Sequence, residues 1–202
     1  MRLIDEILRC DAVFDPPSAA SLSSLPPEIT HLVRSKNGAL ALSGALLVFG
    51  CLDGPPTPMS LSFYQEWAAR ADYCLNRNDH VFGADVFGDL LFVRNREAFR
   101  LDGETGERVS LGSFDQLWEQ PLSAIADEFG GALGRERLAG RAIGSDPLRL
   151  LPTIPFMLQD SVRCALFEAP LTRALELKHR LFLTSRGAPD GAFINYGFWR
   201  AP

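Results

Sequence analysis

Leu90-Leu91-Phe92-Val93-Arg94-Asn95-Arg96-Glu97-Ala98-Phe99-Arg100-Leu101-Asp102-Gly103-Glu104-Thr105-Gly106 is the stretch that decides the fold class. Its apolar residues fall into two runs of strand length, separated by Asn95-Arg96, a turn between antiparallel strands. Asp102-Gly103-Glu104-Thr105-Gly106 is a second turn, leading to a further strand around Arg108 to Leu111. Side chains alternate along a strand. Counting parity, Leu91, Val93, Phe99 and Leu101 are expected on one buried face, with Arg94, Arg100 and Asp102 on a wet one. Upstream, Val81-Phe82 and Val86-Phe87 announce more of the same sheet between glycines. The expected core is an antiparallel meander.

Working outward, helices flank this sheet. Leu3, Ile4, Ile7 and Leu8 share a helical face, so a short helix is expected over about 2–10. Pro26-Pro27 opens another with Ile29, Leu32 and Val33 as its stripe, closed by Asn37-Gly38 in left-handed geometry. Between these two helices lies a Ser/Ala-rich connection. Ala39 to Gly50 fits one strand or a pair, and the proline-rich 51–59 is a loop. Ser62-Phe63-Tyr64-Gln65 has the pattern of a capping box and starts a helix to about Tyr73, packed on the sheet. Ser113-Phe114-Asp115-Gln116 repeats that logic until Pro121 resets the chain, and a second helical piece ends at Gly130-Gly131. The polar stretch 135–145 is the expected loop. Pro170 opens a last helix with Leu171, Ala174, Leu175, Lys178, Leu181 and Phe182 in register. The aromatic end, Ala192 to Trp199, is an added strand or a segment packed over a groove.

The 202 residues are 47% hydrophobic and 22% charged, which excludes disorder and leaves material for a sizeable core. A formal charge of -5 repels phosphate backbones, so general nucleic-acid binding is not expected. Cys10, Cys51, Cys74 and Cys164 are widely spaced with no C-x-x-C pair, the pattern of reduced, buried thiols. The acidic start at Asp5-Glu6 interrupts any signal-peptide core, and no run is long enough to span a membrane, so a cytoplasmic location is expected.

Catalytic patterns are missing: there is no G-x-S-x-G, no G-x-x-x-x-G-K-[ST], no G-x-G-x-x-G and no H-E-x-x-H. His80 stands next to Asp79 with Asp85 and Asp89 downstream, a metal or acid/base set if the turns fold back. Adjacent strand residues point apart, however, so solvated turn carboxylates are the expected reading. No cofactor or metal is expected. Arg94, Arg96 and Arg100 with Phe92 form a basic, partly aromatic strip suited to an acidic partner, or else an ordinary solvated face. Asp102, Glu104, Glu107 and Asp115 are acids near the sheet-to-helix turn that would imitate phosphate toward a basic toxin, or simply serve solubility. Trp199 is the best aromatic anchor for a partner, although Trp67, Trp118 and Trp199 all suit core positions.

The order of these signals resembles the SUKH superfamily, which contains fungal cell-wall regulators and bacterial immunity proteins. The likeness is carried by Leu25-Pro26-Pro27, Asn37-Gly38, Phe87-Gly88-Asp89-Leu90-Leu91-Phe92, Arg100 to Glu107 and Phe114-Asp115-Gln116-Leu117-Trp118. It covers roughly 26–129, and Leu151-Pro152-Thr153-Ile154-Pro155-Phe156 resembles the extension of bacterial members. The chain departs from the family where paired glycines often follow Pro-Phe and Met157-Leu158-Gln159-Asp160 stands instead. The resemblance implies an α+β fold, a curved antiparallel meander flanked by helices, in one domain over 1–202 with a C-terminal extension, 147–202, packed on the core. It also implies a non-catalytic immunity protein that binds and neutralises a cognate toxin. A scaffold or regulatory protein-binding module of the same type is the alternative.

Overall fold

A computed structural model describes residues 1–70, 75, 78–141, 146–158, 165–189 and 192–199, and the side chains of these apart from 68–70. Six strands run in sequence order through one antiparallel sheet: β1 (Ala39–Ala41), β2 (Leu46–Val48), β3 (His80–Ala84), β4 (Leu90–Arg94), β5 (Glu97–Leu101) and β6 (Arg108–Ser113). A separate antiparallel ribbon joins β7 (Leu148–Pro152) to β8 (Leu166–Pro170). The helices are α1 (Leu3–Arg9), α2 (Ala19–Ser23), α3 (Pro27–Ser35), α4 (Leu61–Arg70), α5 (Phe114–Glu119), α6 (Leu122–Ile125), α7 (Gly131–Leu133) and α8 (Leu171–Ser185). The class is therefore α+β, a six-stranded antiparallel meander flanked by helices. Among the described residues no helix is long and apolar enough to cross a membrane.

Asn95 and Arg96 both take positive φ, 50° and 66°, the two-residue turn whose twist matches its strands. That turn corrects the expected faces. It pairs Arg94 with Glu97, Phe92 with Phe99 and Leu91 with Arg100. Paired numbers thus have an odd sum, and residues of equal parity on the two strands point to opposite faces. Phe92 stacks on Phe99, ring centroids 5.2 Å apart, while Leu91 and Arg100 share the other side. No wet face exists on β4, since Leu90, Leu91, Phe92 and Val93 are all buried.

Other departures have local causes. Val86-Phe87 lies in the β3–β4 turn, because the Asp85 carboxylate accepts the Phe87 and Asp89 amides, both at 2.9 Å, in place of a ladder. α4 starts at Leu61, before the expected Ser62 cap, where the Leu61 amide donates to the Gly50 carbonyl at 2.8 Å. The expected end of α4 at Tyr73 lies outside the described residues. The Ser/Ala-rich connection contains α2, capped by Ser18. α3 closes at Lys36 in an extended conformation, before Gly38 takes positive φ. Part of the expected 135–145 loop is a π-helical turn, Gly134–Leu138, with Leu138 buried. The pair of strands at 39–50, the Ser113-capped α5 and the Pro170-opened α8 match the sequence reading. Ala192 to Trp199 is not a strand, and it packs as coil.

Two apolar cores result. The larger spans the meander, α1, α3 and α5 and takes Leu150, Leu171, Leu175 and Phe182 from the C-terminal part. The smaller consists of Leu151, Ala169, Ala174, Leu177, Leu181 and Trp199. α8 therefore has two working faces, and Lys178 lies on the one directed at the meander.

Candidate functional site

The motif-bearing turns meet beneath α8. Lys178, 1% exposed, reaches the Asp89 carboxylate at 2.5 Å, and the same Asp89 oxygen accepts the Gly103 amide at 2.9 Å. The glycines are explained by this approach. A Cβ on Gly103 would come within 2.8 Å of the Lys178 side chain, and one on Gly106 within 2.6 Å of the Phe182 ring. Glu104, also 1% exposed, accepts the Met157 amide at 3.0 Å through one oxygen, while its other oxygen has no partner. Arg149, fully buried, donates to the Gly44 carbonyl at 2.7 Å.

Burial governs the titration here. It raises the Asp85 carboxyl, with help from Asp89 and against Lys178, to about 7. Burial likewise raises Glu104, and Lys178 only partly offsets it. The Lys178 ammonium would be depressed by burial, but Asp89, Glu104 and Asp85 outweigh that and hold it above its usual value. Burial lowers Arg149 to about 10, leaving it charged at neutral pH. This cluster joins two parts of the fold, and none of Asp85, Glu104, Lys178 or Arg149 is open to solvent.

An accessible site lies elsewhere, at the meander edge where α1, α3 and α5 converge. It is a groove of about 560 Å³. Ile4, Leu32, Phe114 and Trp118 supply its apolar surface, and Glu28, His31, Arg96, Asp115 and Glu119 its polar one. Helical spacing places Glu28, His31, Leu32 and Ser35 on one side of α3, and Asp115, Trp118 and Glu119 on one side of α5. Arg96 donates to Asp115 at 2.7 Å and lies 3.9 Å from Glu28, while Arg2 reaches Glu119 at 2.5 Å. Trp118 lines this groove with part of its side chain, while its indole N–H is buried and has no acceptor among the described residues. Three carboxylates against one guanidinium leave the lining acidic.

The residues singled out from sequence scatter. Phe92 is in the core, and Arg94, stacked over its ring, is bound to the buried Asp79. Arg100 points to the opposite face and donates to the Glu128 carbonyl at 2.8 Å. The expected basic strip is thus not formed, because the hairpin register divides it. The acids are not one patch either. Asp102 accepts the Glu104 and Thr105 amides within its own turn, Glu104 is buried and Glu107 is exposed. Asp115 lies at the other end of β6 and alone of the four lines the groove. Trp199 is an internal anchor, 3% exposed, its indole donating to the Pro152 carbonyl at 2.7 Å. Around His80 the acids take separate partners: Asp79 binds Arg94, Asp85 caps its turn and Asp89 binds Lys178. Sequence reasoning missed Ile4, Glu28, His31 and Glu119, whose only signal was helical spacing next to charged ends.

No family model matches the chain, and no curated protein matches it in sequence. Among solved structures, the crystal structure of Atu4351 from Agrobacterium tumefaciens is similar with a TM-score of 0.49 and 12% identity, over 85% of each chain.

Proposed function

We propose that this chain is a non-catalytic immunity protein of the SUKH type, which neutralises a cognate toxin by holding one of its surfaces in the α1–α3–α5 groove. The observation that carries this reading is the groove itself: an apolar floor inside a rim of exposed charge. Apolar anchors surrounded by polar rims are the anatomy of protein interfaces. The acidic lining selects a partner that presents cationic residues around an apolar anchor, and opposite charge speeds such an encounter. Asp115 and Glu119 are rim groups, while Trp118 and Phe114 are floor groups. No bond is made or broken in this account.

Co-expression with growth-inhibiting products of neighbouring genes, the candidates this reading names for the toxin, tests it. Restored growth together with a stable complex is the expected result. Absence of both, or capture of a signalling or cell-envelope protein in place of a toxin, would overturn the immunity reading.

A further inference from the structure

The acids of the α1–α3–α5 groove are answered unevenly by the chain's own cations. At one end Arg2 is held firmly, by Asp5 at 2.9 Å and by Glu119 at 2.5 Å. At the other, Glu28 of α3 and Asp115 of α5 share a single guanidinium, that of Arg96, which bonds Asp115 at 2.7 Å and stays 3.9 Å from Glu28. Glu28 is the less satisfied of the two. Its side chain is only 20% exposed and accepts no hydrogen bond from the described residues. The first turn of α3 offsets part of its charge without supplying a bond. Arg96 itself is loosely held. Its carbonyl is fixed by the Phe114 amide at 2.8 Å, but its side chain is 72% exposed and that of Asp115 62%. An exposed pair of this kind contributes little, so the side chain leaves at little cost. Its φ of 66° suits glycine better, so an arginine stands here against the preference of the turn.

We infer that the Glu28–Asp115 end of the groove is a receptor for an arginine side chain of the protein partner, and that Arg96 fills it in the free chain and gives way on docking. The inference rests on the groove being the docking site and names the group it takes. A guanidinium offers five N–H donors in a planar fork, enough to bond carboxylates on two helices at once, whereas an ammonium is a compact charge with three. Arg96 already shows that one guanidinium comes within reach of both acids. The face of a guanidinium also stacks on aromatic rings, and Phe114 and Trp118 line the groove beside Asp115 on α5. Ile4 and Leu32 are placed to cover its aliphatic stem or an apolar neighbour. Arg96 is the one Lys or Arg among the described lining residues, so its departure leaves Glu28 and Asp115 to the incoming charge.

Nuclear magnetic resonance titration of the full chain with the dipeptide acetyl-Phe-Arg-amide tests it, read at the Trp118 indole and the α3 and α5 amides, beside the same dipeptide carrying lysine or citrulline. The wild type should bind the arginine peptide at least about fivefold tighter than the lysine peptide and show no saturable shift with neutral citrulline. Arg96→Gly keeps a residue suited to the turn and should tighten arginine-peptide binding about fivefold, the effect of deleting a competing exposed ion pair. Glu28→Gln should weaken it about tenfold, the effect of losing a bond to a charged group. No saturable binding of the arginine peptide, equal affinity for arginine and lysine, or an Arg96→Gly protein that binds no tighter than wild type would each overturn the inference. A toxin complex that forms while the peptide series fails would keep the immunity reading and overturn this inference alone. A peptide series that behaves as expected with no toxin recovered would do the reverse.

Discussion

Replacing Lys178 by methionine isolates the charge that secures α8. Methionine keeps an unbranched stem to pack beside Gly103, so the change removes the ammonium and little of the contact. The Lys178 and Asp89 side chains are 1% and 14% exposed, and the pair is 2.5 Å apart. Removing one partner of such a buried pair costs about 3–5 kcal/mol, because the remaining charge is left without an answer. Against a total stability of roughly 5–15 kcal/mol for a folded domain, that loss is large. Asp89 retains one donor, the Gly103 amide at 2.9 Å, so Asp89→Asn added to Lys178→Met should recover more than half of the loss. Guanidinium unfolding at pH 7.5, followed by far-ultraviolet circular dichroism for the wild type, both single variants and the double variant, gives the coupling directly. A Lys178→Met protein within about 1 kcal/mol of wild type would refute the reasoning, since the pair would then be no stronger than a surface one.

Gly106→Ala should cost about 2–4 kcal/mol, the sum of a positive φ of 76° and a Cβ driven against Phe182. Gly112→Ala, with φ of 88° but open space around it, should lose only the smaller backbone part, and equal losses in thermal unfolding would deny that α8 packs on the Gly106 turn. Asn37→Ala removes bonds from its amide to the Asp15 and Cys51 carbonyls and strands the Cys51 amide, which its oxygen accepts at 2.7 Å. A loss of about 2–3 kcal/mol in urea unfolding is expected, and a neutral result would show that these segments are held by packing alone. Trp199→Phe should lower stability by about 1 kcal/mol through the lost bond to Pro152 and leave groove binding unchanged, whereas loss of binding would make Trp199 an interface residue after all.

Local chemistry was legible in the sequence where a few neighbouring residues settle it. Asn95-Arg96 fixed a hairpin, Ser113 a helix cap and Pro170 the start of α8, each through contacts within a few residues. The face of each strand was not, because counting parity through a hairpin requires the exact loop length, and the two-residue loop inverted the expected relation between Leu91 and Phe99. Glu104 looks like a surface group to any local rule, and local rules left Trp199 between a core position and a partner anchor. Glu104 is buried because α8 and the chain around Met157 return over it, and Trp199 because it packs against β7, β8 and α8. The groove is equally non-local: the six strands of the meander separate α5 from α1 and α3, so Glu28 and Glu119 line one groove only after the meander closes. Asp115, the one acid chosen from sequence that lines it, sits there because Ser113 sets the phase of α5.

The account's central claim is that the acidic rim of this groove grips a protein toxin. Calorimetric titration of the purified chain with the toxin recovered by that co-expression, wild type beside Asp115→Lys/Glu119→Lys, tests it most directly. Both side chains are more than half exposed, so the reversal should leave thermal unfolding nearly unchanged. The account predicts tight, salt-sensitive binding by the wild type and an affinity at least about 100-fold weaker for the variant, consistent with the several kcal/mol of like-charge juxtaposition. Equal affinity for the two proteins would contradict it.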